Sequence, residues 1–322
     1  MPTSLDWYLL RNLKARQLKL LVALDDLGNL KKVAEATHVT LPAVSKALAE
    51  LEKGLELELF TRTTQGLRPT IYGECLIRYA RSMMIELQQA RDELKALSSG
   101  SGGKVSIGVY AASSSVLVPD AIALLKERSA TTNVLVSEGT TSTLLPQLWE
   151  GKLDLVVGRL PILSPSSGFE EKLLLEEQLV LVTSPAHPLA QLEHLEWADL
   201  KEYPWVLPPL PSQMREPLER ALIRNGIELE RDYIETSSLH LTRACLYRTR
   251  AIAAMASAAA HDTLLPLAVL PLSLPPMPRG AGMLWNRNRP LSPAAGLMIE
   301  CLEEAAAVLK EKEIANRMEP SA

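Results

Sequence analysis

The chain has 322 residues, 47% hydrophobic and 22% charged, with a formal net charge of -4. That size predicts two or three domains with ample core, and the charge excludes a generally basic nucleic-acid coat. With two Phe, seven Tyr and five Trp, a base-stacking binder of single strands is excluded as well. Over residues 1–98 there are 14 Lys and Arg against 12 Asp and Glu, and 20 against 26 thereafter, so any DNA contact rests on a few placed cations. Three distant cysteines, Cys75, Cys245 and Cys301, imply no disulfide framework. No apolar run reaches the length of a membrane span, and no leader pattern opens the chain, so a cytoplasmic protein is expected.

Residues 1–12 read as a short extension. From Leu13 to Leu27 a helix places Leu18, Leu21 and Val22 on one face and ends at Gly28, a natural left-handed terminator. The stretch from Asn29 to Lys53 then reads as two helices joined by a tight turn. Asn29 caps the first and Thr40 the second, with Val39 interrupting the pattern and Pro42 in a first turn that tolerates it. Val44, Leu48 and Leu51 form the buried stripe. Pro42, Lys46, Ala49 and Lys53 project outward, with Ser45 on the flank, so this helix can enter a major groove. Lys31 and Lys32 oppose the dipole of the first helix, which fits an end facing phosphate. The competing reading is an alanine-rich hairpin with a solvated lysine face.

LELELFTRTTQGLRPT follows as a two-stranded ribbon with Gln65-Gly66 at its tip and Arg62 and Arg68 on either side. A helix-turn-helix with such a ribbon is a winged helix, and the arginines suit backbone or minor-groove contact. From Ile71 to Leu97 the residues Tyr72, Leu76, Tyr79, Met83, Leu87, Ala90, Leu94 and Leu97 recur at helical spacing, a seam for a second copy of the helix. Packing on its own domain is the alternative. Residues 98–103, SSGSGG, read as a flexible linker.

Beyond residue 103 strands alternate with helices: 104–110, 133–138, 153–158, 179–183, 204–207, 251–255 and 267–272, then a last helix at 292–315. This order predicts α/β architecture with parallel sheets in two lobes. The crossovers are placed near Pro161–Pro165 and His261–Pro266. Ligands of open parallel sheets bind at the carboxyl ends of strands. Those ends carry Ser113, Ser114 and Ser115, then Thr140 to Thr143, then Arg159. Capping explains each hydroxyl equally well, whereas Arg159 at a cleft needs an anionic partner. Pro208–Gln213, with Pro209 and Ser212, is placed to close the cleft from the second lobe.

NLKKVAEATHVTLPAVSKALAELE, LFTRTTQGLRPTIYGE, IGVYAASSSVLVP and GKLDLVVGRLP together resemble a LysR-type transcriptional regulator over essentially the whole chain. The resemblance implies a winged helix-turn-helix (1–70), a dimerising linker helix (71–97), a linker (98–103) and a two-lobed effector domain (104–316) similar to periplasmic binding proteins. Lobe I is expected at 104–163 and 267–316, lobe II at 164–266. It implies a homodimer, paired into a tetramer, that binds operator DNA and a small effector, with an anion expected from Arg159. The expected DNA contacts are Lys31, Lys32, Thr40, Leu41, Pro42, Ser45, Lys46, Arg62 and Arg68. The expected effector contacts are Ser113, Ser114, Thr140, Thr141, Arg159, Pro209 and Ser212. Leu41 stands where the family generally has a polar residue, and Gln65 replaces a frequent wing arginine.

An enzyme is not expected, since G-x-S-x-G, phosphate-loop and H-E-x-x-H patterns are missing from the sequence. The five histidines have no metal-ligand spacing, so neither metal nor cofactor is expected. A solute-binding or sensor protein with no DNA role is the alternative, and it leaves residues 1–98 without a task.

Overall fold

The computed structural model describes residues 4–63, 66–99, 101–110, 116–176, 178–210, 212, 214–228, 233–260, 266–274 and 280–318. The chain divides into two compact units, Met1–Leu94 and Lys95–Ala322.

The first unit begins with α1 (Ser4–Arg11), where the sequence reads only as an extension. Leu5, Tyr8 and Leu9 share one face of it, and Tyr8 and Leu9 pack on the core. Tyr8 lies so close to Gly54 that a Cβ there would sit 2.0 Å from the ring. Next come α2 (Ala15–Leu27), α3 (Leu30–Thr37), α4 (Leu41–Leu55), β1 (Phe60–Thr63), β2 (Gly66–Pro69) and the long α5 (Ile71–Ser99). Gly28 ends α2 at φ 60, the left-handed conformation that glycine adopts without strain. Leu21, Leu24, Val33 and Leu51 are fully buried at the centre, and Ile77 and Ala80 bring α5 against them. Arg81 then clamps α5 to α2 through Asp25 at 2.7 Å and Asp26 at 2.5 Å.

The second unit runs β3 (Lys104–Tyr110), α6 (Leu117–Arg128), β4 (Asn133–Gly139), α7 (Thr141–Glu150), β5 (Leu155–Arg159), β6 (Phe169–Leu175) and β7 (Leu179–Thr183). It continues with β8 (Trp205–Leu207), α8 (Arg215–Arg224), β9 (Tyr233–Glu235), α9 (Leu239–Arg248), β10 (Ile252–Ala256) and α10 (Ser257–Ala260). It ends with β11 (Ala268–Leu270), β12 (Ala281–Asn286) and α11 (Pro293–Met318). The strands form two five-stranded sheets, ordered β4-β3-β5-β12-β6 and β11-β7-β10-β8-β9.

Both sheets are mixed rather than parallel. In the first, β4, β3 and β5 are parallel, and β12 runs antiparallel to β5 and β6. In the second, β9, β8 and β10 are parallel, and β7 runs antiparallel to its two neighbours, β10 and β11. Two boundary expectations need correction. The segment near Pro161–Pro165 joins β5 to β6 within the first sheet, so the first crossing falls between Leu175 and Leu179. The strand near 267–272 pairs with β7, which places it in the second sheet and moves the return crossing to between Leu270 and Ala281.

Helices cover both faces of the first sheet. α6 and α11 bury Leu117, Leu125, Ala295, Met298 and Leu302 on one side, and α7 buries Leu144 and Leu148 on the other. α8 and α9 do the same for the second sheet through Leu222 and Leu246.

The expected flexible linker is also corrected. The helix persists to Ser99, and Gly102 and Gly103 are tied to the turn between α6 and β4. Gly102 N–H donates to Thr131 Oγ1 at 2.8 Å, its carbonyl accepts from Thr132 Oγ1 at 3.0 Å, and Gly103 O accepts from Asn133 N–H at 2.9 Å. Gly103 has φ 78, and a Cβ on Gly102 would meet Thr132 Oγ1 at 2.2 Å. Here glycine serves close approach rather than freedom.

Candidate functional site

In the first unit the two short helices and the ribbon present the candidate nucleic-acid interface. Asn29 Oδ1 accepts from the N–H groups of Lys31 at 2.8 Å and Lys32 at 3.4 Å, and both lysine side chains are exposed. Their charges therefore stand at a helix start whose dipole opposes them, a cost that an approaching phosphate offsets. The turn into α4 closes on His38 at φ 56. Thr40 precedes α4 in extended conformation without a side-chain cap bond, and Pro42 occupies the first turn. The hydroxyl of Thr40 is thus not spent on the helix.

Leu41, Pro42 and Lys46 are exposed and Ser45 is half-buried, while Val44, Leu48 and Leu51 fill the core. Lys46 lies 3.8 Å from Glu50, an exposed pair one helical turn apart whose attraction is weak in water. The ribbon pairs Thr61 with Arg68 and Arg62 with Leu67. Opposed residues share a face, so Arg62 and Arg68 project to opposite sides of the wing rather than together. The Gln65 tip lies outside the described residues.

Sequence reasoning passes over what aims the wing. Glu52, on α4, accepts from the N–H groups of Leu59 at 2.8 Å and Phe60 at 3.1 Å, fixing the start of β1 to the outward-facing helix. Leu67 N–H donates to Gly28 O at 2.8 Å, and a Cβ on Gly66 would come within 2.4 Å of that same oxygen. Long-range capping of this kind has no periodicity to betray it.

In the second unit the register aligns the expected effector edge. Tyr110 pairs with Gly139, and Val109 with Val157, so β3, β4 and β5 end together. Arg159 closes β5 at 5% exposure, a buried cation at the carboxyl end of a central strand. Thr140 caps α7 in a reciprocal arrangement with Thr143, its N–H donating to Thr143 Oγ1 at 2.9 Å. Capping thus occupies that pair. Thr141 is half-buried, and its hydroxyl lies beside that of Tyr110. Burial pushes the Tyr110 hydroxyl above its ordinary pKa, and the bond to Thr141 pulls back. Tyr110, missed from the sequence because it reads as the last strand residue, therefore stays a neutral donor at this edge. Ser113 and Ser114 lie outside the described residues.

Pro209 and Ser212 leave the end of β8 as a turn. Ser212 N–H donates to Pro209 O at 2.8 Å, and its Oγ accepts from Met214 N–H at 3.3 Å. Thr236 to Ser238 leave the neighbouring end of β9, a strand the sequence does not announce because only Tyr233–Glu235 take part. Thr236 and Ser238 hydroxyls accept from Ser238 and Leu241 N–H groups at 3.1 and 3.2 Å. Among the described residues no group of His, Cys, Asp and Glu could hold a metal ion. No described helix is long and apolar enough to cross a membrane.

A winged helix-turn-helix joined to a two-sheet α/β unit with polar strand ends defines a transcriptional regulator with a DNA-binding and an effector-binding domain. Residues 15–74 match the family of bacterial regulatory helix-turn-helix proteins of lysR type, and residues 98–307 match the LysR substrate binding domain. The chain belongs to the LysR family. The HTH-type transcriptional regulator GbpR of Azospirillum brasilense is 33% identical over 309 residues, which is 94% of this chain and 89% of GbpR. PcaQ of Agrobacterium fabrum is 30% identical over 303 residues, 93% of this chain and 97% of PcaQ. The solved structure of CbnR in complex with its target DNA has the same fold at TM-score 0.63 and 18% identity, over 91% of this chain and 100% of CbnR.

Proposed function

We propose that this regulator responds to a small carboxylate bound at the carboxyl ends of β3, β4 and β5. The observation that carries the reading is Arg159, 5% exposed at the end of β5 and level with Tyr110 and Thr141. A guanidinium fork binds a carboxylate through two parallel hydrogen bonds, and hydroxyl donors complete the set. Operator contact is assigned to Lys31, Lys32, Thr40, Leu41, Pro42, Ser45 and Lys46, with Arg62 and Arg68 on the two faces of the wing. The exposed stripe of α5 carries the dimer, and a pair of dimers forms the tetramer. The protein acts in the cytoplasm, binds without catalysing, and transmits by shifting populations of the effector unit.

Arg159→Gln tests the effector assignment. The variant is expected to keep its melting temperature and DNA affinity and to lose about 1.5–3 kcal/mol of carboxylate affinity, the range for a charged hydrogen bond. Calorimetry with a panel of aliphatic and aromatic carboxylates reads the loss. Equal affinity in wild type and variant ends the assignment.

A further inference from the structure

The second sheet ends its parallel strands as the first does, and a charge cluster lies at those ends. β8 stops at Leu207 and β9 at Glu235, paired in parallel register. The residues that follow occupy the side on which open parallel sheets bind ligands. Arg215, the first residue of α8, is 4% exposed. Its Nε donates to Glu219 at 2.6 Å, and its Nη1 donates to the Pro208 carbonyl at 2.9 Å and to Glu235 at 3.2 Å. The guanidinium also lies over the Tyr233 ring, 5.3 Å from its centre.

A single cation thereby joins the end of β8, the end of β9 and the first turns of α8. One carboxylate would suffice to neutralise it. The further bonds go to the points where two loops leave the sheet. The ties of Ser212 to Pro209 and Met214 stay within the first loop, and Thr236 N–H donates to Leu207 O at 3.0 Å. Arg215 links both loops to the helix behind them.

We propose that Arg215 is a positioning residue for effector recognition, presetting Pro208–Leu210 with Ser212 on one side and Thr236–Ser238 on the other. This rests on the reading that a small carboxylate binds at the strand ends. A recognition site works when its groups are held close to the bound geometry, and a displacement of about 1 Å can cost up to about 100-fold. Lysine keeps the charge but cannot fork toward three acceptors.

The test uses the full chain with Arg215→Lys and Glu235→Gln, and Arg220→Lys as control. Arg220 is exposed on the same helix and paired with Glu216. Binding of 4-hydroxybenzoate and succinate is measured by calorimetry, and DNA binding on a duplex selected from random sequence by the wild type. Arg215→Lys is expected to weaken the probe that wild type binds by roughly tenfold. Deuterium uptake at Leu210, Ser212 and Thr236 rises, while melting temperature and DNA affinity hold. Glu235→Gln moves the same way by less, which keeps the test valid should Arg215→Lys misfold, and Arg220→Lys matches wild type. Unchanged probe affinity in Arg215→Lys and Glu235→Gln overturns the proposal alone, as does an affinity loss that only tracks a fallen melting temperature. A wild type that binds neither probe overturns the carboxylate reading and this proposal with it.

Discussion

At the scale of single residues, burial separates the side chains that hold the fold from those that face a partner. His187 is 2% exposed, its Nδ1 accepts from Leu189 N–H at 3.1 Å, and its Nε2 faces the Arg250 carbonyl at 3.1 Å. An accepting Nδ1 leaves the proton on Nε2, so the native ring is neutral. Burial holds its pKa below the ordinary histidine value, the carbonyl opposes that, and the Arg250 charge adds to it. The unfolded chain therefore takes up the proton first as pH falls. The stability from this site is full above the ordinary value of about 6.5 and is lost below it, toward the native pKa. Melting temperature should fall from pH 7 to pH 5, and His187→Ala should flatten that fall while costing about 1–3 kcal/mol at neutral pH. An acid slope identical in the two proteins would remove His187 as its source. Lys46 is the opposite case, with its side chain 78% exposed. Lys46→Ala should weaken specific DNA binding by about 1–3 kcal/mol if it reads a base. Loss of specific and random DNA alike, with a shallower salt dependence, would assign it to phosphate instead. No change on either DNA removes this face of α4 from the interface.

At the scale of elements, what was legible in the sequence is what periodicity and caps encode. Asn29, Gly28 and the stripe Val44, Leu48, Leu51 announce α2 to α4 because capping and burial act within a few residues. The strands near 104–110 and 179–183 announce themselves as apolar runs buried between helix layers, and 133–138 as an apolar run on an edge strand that stays largely exposed. β6 does not: FEEKLLL is an edge strand with Glu171, Lys172 and Leu173 exposed, so its pattern resembles a loop. β12 reads AGMLWN, and its glycine exists because a Cβ at Gly282 would meet Lys172 O at 2.3 Å. Missing these two strands is what misplaced both crossings. The linker failed for a related reason, since composition cannot tell glycine used for freedom from glycine used for close approach. Of the residues proposed for effector recognition, Arg159 shows in the sequence as a charge closing an apolar strand, whereas Tyr110 and Arg215 owe their places to pairing and long-range contact.

At the scale of the whole molecule, α5 carries an apolar row that its own domain leaves exposed. Ile77 and Ala80 are buried against the first unit, yet Tyr79, Met83, Leu87 and Leu94 are 55%, 43%, 53% and 66% exposed. A spaced apolar row on a helix of 29 residues is costly to leave in water, at about 25 cal/mol per Å². A second α5 offers a matching row, and pairing them would bring two DNA-binding units onto one operator. Leu87→Glu places a carboxylate inside that seam, where an unpaired charge is strongly unfavourable. The first unit, whose core does not include Leu87, should melt as in wild type. Sedimentation should show the dimer dissociating at concentrations where the wild type stays intact. Operator affinity should fall by 10²–10⁴, roughly the gain from linking two sites, while random-duplex binding per head is retained. A variant that sediments as the intact dimer would show that the row packs elsewhere, and Leu87 would then be no part of the assembly.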